Sequence, residues 1–206
     1  MKRLVFAIAI LTGLAGCGGS NVLDMVPAFD SASRDDQLAV EQLSAIDKAV
    51  TAFEIVVPDT LKVSEADTLF PRADIVWRGD PPGERHEQVA AIFADAAGAV
   101  VGPSTTAKSG LILMIEVTRF HGLTERARFS FVGGNYSLRF DITLRDAATG
   151  AVVAGPRKVK ADTKGSSGLR ALSDDLKGRT EKAVVTERLA QVFGSVLAEM
   201  VLQPEG

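Results

Sequence analysis

Apolar positions along the chain switch between helical and extended spacing. Ala39 or Val40, Leu43, Ile46, Val50 and Phe53 recur near a helical period, which predicts a first helix over residues 36–51. Ala52 to Val57 then reads as a strand, Pro58-Asp59 interrupts it, and Leu61-Lys62-Val63 continues extended. Ala73 to Arg78 is a short predicted strand stopped by Gly79-Asp80-Pro81-Pro82-Gly83. From Glu84 to Val101 the residues Val89, Ile92, Phe93, Ala96 and Val100 share one helical face. Glu84 and Glu87 suit the positive end of that helix, and Gly102-Pro103 ends it.

Leu111 to Phe120 opens with five apolar residues, the pattern of a central strand covered on both faces. Tyr136, Leu138, Phe140, Ile142 and Leu144 alternate with Ser137, Arg139, Asp141 and Thr143, so this strand has one polar face. Asp146-Ala147-Ala148-Thr149-Gly150 is a hairpin loop, with Gly150 free to take a positive φ. Ala151 to Ala161 returns as its partner, and Pro156 marks an edge or a bulge. Residues 163–168 read as a polar loop. A long helix from about Thr180 to Leu202 buries Val185, Leu189, Val192, Phe193, Val196 and Met200. The expected fold is α+β: an antiparallel or mixed sheet of four to five strands packed by two to three helices.

The N-terminus carries an address. Lys2 and Arg3 precede the apolar run Leu4 to Leu11, and Leu14-Ala15-Gly16-Cys17 follows. Charge, a short apolar core and small residues at the cut are the order of a secretory signal, and the run is too short to span a bilayer. Leu14-Ala15-Gly16-Cys17 resembles a bacterial lipobox. The resemblance implies cleavage before Cys17, a diacylglycerol on its sulfur and a fatty acyl chain such as palmitate on its new amine. Two or three chains give stable attachment where one is marginal. Gly18, in place of an aspartate, resembles the sorting signal for the outer membrane. The domain plan is therefore a signal peptide at 1–16, a lipidated N-terminus and flexible tether at 17–35, and one α+β domain at 36–206 facing the periplasm.

Composition narrows the function. With 206 residues, 46% apolar and 24% charged, the chain is an ordinary folded protein of about one domain. A net charge of −3 gives no support for binding nucleic acid. One cysteine excludes an intrachain disulfide framework and a multi-thiolate zinc site. Residues 102–109, Gly-Pro-Ser-Thr-Thr-Ala-Lys-Ser, miss the P-loop pattern by Ala107. A P-loop also needs strand, loop, then helix, whereas here a predicted helix precedes and a strand follows, so no nucleotide is expected. There is no Gly-x-Ser-x-Gly elbow. His86 sits on an exposed helix start. No catalysis and no cofactor are expected.

Two stretches offer a contact surface for an envelope protein partner. Arg119, His121, Arg126, Arg128 and Phe129 lie in a connection long for a hairpin. A β-extension with its arginines in water is the plain reading; a recognition loop of guanidinium and aromatic groups is the functional one. Trp77, Arg78 and Asp80 form the second stretch. A core plug is the plain reading of the tryptophan, with Arg78 and Asp80 pairing to fix the turn. The rival class is an envelope hydrolase acting on peptidoglycan or lipid, with His121 and either Glu125 or Asp80 as an acid/base pair.

The same stretches resemble a known family. Ala73-Asp74-Ile75-Val76-Trp77-Arg78-Gly79-Asp80-Pro81-Pro82-Gly83-Glu84-Arg85, Val117 to Arg126 and Asp146 to Gly150 resemble the signature of an uncharacterised lipoprotein family of Rhodobacter-like alphaproteobacteria. The likeness runs from about Phe53 to Asp162 and brings no catalytic residues with it. More loosely, the order of elements is similar to auxiliary lipoproteins of envelope transport systems, which gives a second role to test.

Overall fold

The computed structural model describes residues 49–102, 109–130 and 133–202. The signal, Cys17, the tether and most of the expected first helix lie outside the described residues, as does the segment 103–108. In chain order the elements are β1 (Val50–Val56), β2 (Ile75–Val76), α1 (Arg85–Val101), β3 (Leu111–His121), α2 (Glu125–Arg128), β4 (Asn135–Asp146), β5 (Val152–Lys160), β6 (Thr163–Lys164), α3 (Gly168–Leu176) and α4 (Glu181–Leu202). The fold is α+β, as expected, with a mixed sheet of six strands and four described helices.

Strands β3 and β4 form the antiparallel centre, paired from Leu111↔Asp146 to His121↔Ser137 with one register shift between Val117 and Arg119. Each carries one long and one short neighbour on its outer side. β1 runs parallel to the first half of β3, and β2 to its last two residues. β5 pairs antiparallel with Arg139 to Arg145 of β4, and β6 pairs with its first two residues. Val50 and Thr51, expected to end a helix, are instead strand residues, and Val50 pairs with Leu111. Their β-branched side chains fit the pleat better than a helix terminus.

One face of the sheet is covered by α1 and α4. Val89, Ile92, Phe93 and Ala96 from α1 meet Val185, Leu189, Phe193 and Leu197 from α4 over Leu113, Ile115, Val117, Leu138, Phe140 and Ile142. Phe140 sits between two rings, with centroids 5.3 Å from Phe93 and 5.4 Å from Phe193, both edge-on. All five apolar residues of the β4 alternation are buried.

Among the described residues no helix covers the opposite face. Ile112 and Met114 are only half-buried, and Glu116 and Thr118 are exposed. Among the described residues β3 is therefore covered on one side, not on both. Ile112 and Met114 lie on the face that no described helix covers, where a shallow groove is lined by Met114, Glu116, Asp141, Thr143 and Arg145. The hairpin is as expected: the Asp146 carboxylate accepts from the Thr149 N–H at 2.7 Å and its hydroxyl at 2.8 Å, and Gly150 has φ 72°. Beyond it, β5 lies at the sheet edge with a register shift opposite Ile142 and Leu144, near Pro156.

Two helices depart from the sequence pattern. The 119–131 connection is not a β-extension: it holds the four-residue helix α2. The polar stretch after β5 holds β6 and the nine-residue α3, where only a loop and the long C-terminal helix are expected.

Candidate functional site

The stretches 73–85 and 117–126 meet where β2 pairs with the end of β3, and Trp77 is what they meet around. Its side chain is fully buried. The ring stands edge-on to Phe120, centroids 5.3 Å apart. A Cβ added at Gly79 would lie 2.3 Å from Trp77 Cζ2, and one at Gly122 would lie 3.0 Å from Cε3 and 2.9 Å from the Val76 carbonyl. Those two glycines are the walls of a socket that only a missing side chain leaves wide enough for indole.

Polar groups close the socket. Trp77 Nε1 donates to Asp80 Oδ2 at 2.8 Å, and Lys182 Nζ of α4 reaches Asp80 Oδ1 at 3.1 Å. Asp80 thus ties the turn to the helix layer. Arg78 does not pair with Asp80; it donates to Glu65 at 2.7 Å. Arg85, at the start of α1, is 4% exposed. It donates to Glu65 at 2.8 Å, to the Pro81 carbonyl at 3.1 Å and to Gln88 at 2.6 Å. A buried guanidinium needs this many acceptors to offset its lost hydration. In return, the hydrogen bond from Arg85 holds the Glu65 carboxyl below its ordinary pKa, with the charge of Arg78 beside it.

The connection after β3 is fixed just as firmly. Thr124, 1% exposed, caps α2: its Oγ1 accepts from the Ala127 N–H at 3.1 Å and donates to the Thr68 carbonyl at 2.8 Å. Asp67 accepts from the Arg126 N–H at 2.8 Å. Arg128 donates to Asp175 of α3 at 2.5 Å and lies 3.6 Å from Glu181 of α4. Glu181 in turn accepts from the buried Tyr136 hydroxyl at 2.7 Å. Burial lifts the Glu181 carboxyl above its usual range, against the pull of Tyr136 and Arg128. Burial, reinforced by Glu181, also raises the Tyr136 phenol. Arg128 therefore staples α2, α3 and α4 together.

The candidate residues now separate. Trp77, Arg78, Asp80 and Arg128 hold the fold, and a partner could not touch Trp77 without opening the core. Arg119 and His121 are half-buried on β3. Burial, then the charge of Arg119, lowers the His121 pKa, while the Pro71 carbonyl and Asp74 oppose this. His121 Nε2 is buried without a hydrogen-bond partner among the described residues, and Asp80 is bonded to Trp77 and Lys182 instead, so no hydrogen bond joins His121 to a carboxylate of the hydrolase reading. Arg126 and Phe129 remain at the surface, and Phe129 is 56% exposed beneath the Arg128 guanidinium, 5.6 Å from its ring centre. His86 bonds the Leu61 carbonyl at 3.1 Å. Helix α1 ends at Val101 and β3 begins at Leu111, so the P-loop-like segment between them joins helix to strand.

Among the described residues no group of three His, Cys, Asp or Glu side chains is placed to hold a metal, and no helix is long and apolar enough to cross a membrane. What sequence reasoning missed is a surface feature. On α3, Leu169 is 87% exposed, Leu172 50% and Leu176 82%. Their spacing of three and four is a helical stripe, and that was the available signal.

The described residues form an α+β domain: a mixed sheet, two helices on one face, and the Trp77 socket at one end of the central strands. The chain belongs to a family of unknown function, DUF6778, whose model matches residues 48–205. No curated protein matches it. Among solved structures it is similar to a protein assigned as a lipoprotein from Caulobacter crescentus CB15, at 15% identity over 81% of this chain and 98% of that one, TM-score 0.34. A Xanthomonas campestris protein of family DUF330 shares 16% identity over 75% and 87% of the two chains, TM-score 0.39. The PelC dodecamer from Paraburkholderia phytofirmans shares 16% over 71% and 87%, TM-score 0.33.

Proposed function

We propose that this chain is a lipid-anchored lipoprotein of a bacterial outer membrane, its α+β domain facing the periplasm as a binding or accessory module without catalysis of its own. The observation that carries the reading is Leu14-Ala15-Gly16-Cys17 placed directly behind a charged and then apolar N-terminus. A diacylglycerol thioether at Cys17 and an amide-linked fatty acid then hold the domain to the bilayer. The exposed Arg126 and Phe129, fixed on the capped α2, are the groups the module offers to an envelope protein partner. A transport system's auxiliary subunit would be one such module.

Labelling growing cells with an alkyne-bearing palmitate should mark the wild-type chain and leave Cys17→Ser unmarked. The intact mass of the mature protein should begin at a modified Cys17. A native product that keeps residues 1–16, or that starts at a bare thiol, ends this reading. The partner surface has its own test. Capture from detergent-solubilised envelopes should lose its reproducible partner when Arg126→Ala and Phe129→Ala are combined, a pair that spares the structural Arg128.

A further inference from the structure

The exposed leucines of α3 are an apolar face with no cover among the described residues. At about 100° per residue, Leu169, Leu172 and Leu176 fall within roughly 60° of one another on the helix surface. Ala171 points away from them and is fully buried against the domain. The helix is thus amphipathic in the reverse sense of α1 and α4: its leucines face outward, and the one buried residue it turns to the protein is Ala171.

Its charges are arranged to match. Asp174 is bonded by the Ser166 hydroxyl, and Asp175 by Arg128. The Ser166 hydrogen bond, and then the charges of Arg170, Arg179 and Lys177, hold the Asp174 carboxyl below its ordinary range, so three cations surround one carboxylate and leave a net positive edge. Arg170, Lys177 and Arg179 are exposed. Arg170 and Lys177 flank the leucine stripe on one side, about 80–100° around the helix from Leu169. A stripe of leucine edged by cations is suited to the headgroup boundary of an anionic bilayer, where apolar side chains enter and basic ones meet phosphate.

We infer that α3 docks the domain onto the anionic bilayer surface to which Cys17 anchors it; this rests on the lipoprotein reading above. The reach suffices. Val50 pairs with the first residue of β3, so the chain enters the domain at the end opposite α2 and α3. β3 is about 35 Å long. The 32 residues between Cys17 and Val50 can span up to about 110 Å, three times that distance. Docking gives the domain a fixed face toward the membrane, which a tether alone does not.

The test uses the full lipid-bearing chain with Leu172→Cys, carrying an environment-sensitive fluorophore; the sulfur of Cys17 is already blocked. Val153→Cys, on the edge strand β5 at the far end, is the control, and Leu176→Cys is a second reporting site. The chain is placed in vesicles of phosphatidylethanolamine and phosphatidylglycerol that contain a lipid spin-labelled high in its acyl chain. Quenching at 172 and 176 should exceed that at 153 at least twofold. Arg170→Glu, Lys177→Glu and Arg179→Glu together should lower the docked fraction about tenfold or more, given roughly fivefold per basic residue near an anionic surface. Flotation with the vesicles should be unchanged, because it reads the anchor. Loss of flotation overturns the lipoprotein reading, and docking falls with it. Intact flotation with equal quenching at 172 and 153 overturns docking alone. A label at 172 that is shielded from water yet unquenched by lipid also overturns it, and assigns the face to protein.

Discussion

The Trp77 socket makes a quantitative prediction. Gly79→Ala places a methyl group 2.3 Å from Trp77 Cζ2 and 2.4 Å from Cη2. Both atoms belong to a rigid ring that is fully buried, so neither can swing aside. The backbone of Gly79 does not require glycine, since its φ lies outside the left-handed region. The cost is therefore overpacking, about 1–3 kcal/mol. Trp77→Phe removes those two atoms and the indole N–H that Asp80 accepts. Its cost is about 2–3 kcal/mol, from roughly 1 for the hydrogen bond and the rest from the lost ring and the void it leaves.

Together the two changes should compensate. The methyl at position 79 enters the space the larger ring has vacated, so the double variant should lie about 1–2 kcal/mol above the sum of the singles. Urea unfolding of all four proteins, followed by far-ultraviolet circular dichroism, reads the cycle. Fluorescence is unsuitable because Trp77 is the sole tryptophan. Additivity within about 0.5 kcal/mol would refute the socket: the glycine would then be there for some reason other than the ring.

Three further outcomes follow from the polar contacts. Thr124→Ala removes the α2 cap and leaves the Thr68 carbonyl without its donor, so it should cost about 1–2 kcal/mol in urea unfolding, whereas the exposed Arg126→Ala should change stability by less than about 0.5. Because burial raises the Glu181 pKa, the native state holds that proton to higher pH than the unfolded chain does. The contribution of Glu181 is thus most favourable below the ordinary glutamate range and is lost as pH rises through the raised value; wild type should lose stability relative to Glu181→Gln across that window, and a constant difference would contradict it. The Arg139–Asp162 pair is 29% and 47% exposed. Arg139→Ala should therefore cost under about 1 kcal/mol at low salt and near nothing in molar salt, read from urea midpoints in the two buffers.

The elements legible in the sequence were those whose burial follows a single period. β4 alternates cleanly because one face meets the helices and the other meets water, and α1 and α4 show the matching helical stripes. The elements that escaped are those held by contacts distant in sequence. Arg85 looks like an ordinary exposed helix start until Glu65, twenty residues earlier, folds over it. Arg126-Ala127-Arg128 reads as alternation, yet Thr124 followed by Glu125 was a readable helix start: a hydroxyl cap with an acidic residue in the first turn. α3 was hidden because its leucines do not point inward, so the expectation that apolar residues mark the core had nothing to work on. The candidate contact residues were legible as a group but not in their roles. Only three dimensions separate Arg128, bound to Asp175, from Arg126 two residues before it.

That separation bears on what the stretches 73–85 and 117–126 encode. Trp77, Gly79, Asp80 and Arg85 from one stretch, and Phe120, Gly122 and Thr124 from the other, are engaged in building a single joint between β2, β3, α1 and α4. Residues engaged in this way specify how the sheet meets its helices. Change there should act through stability, while change at Arg126, Phe129 or the α3 leucines should act through contacts and leave the fold in place. If Asp80→Ala were as stable as wild type yet lost the captured partner, this division would be reversed, and the joint would have to be read as a binding site.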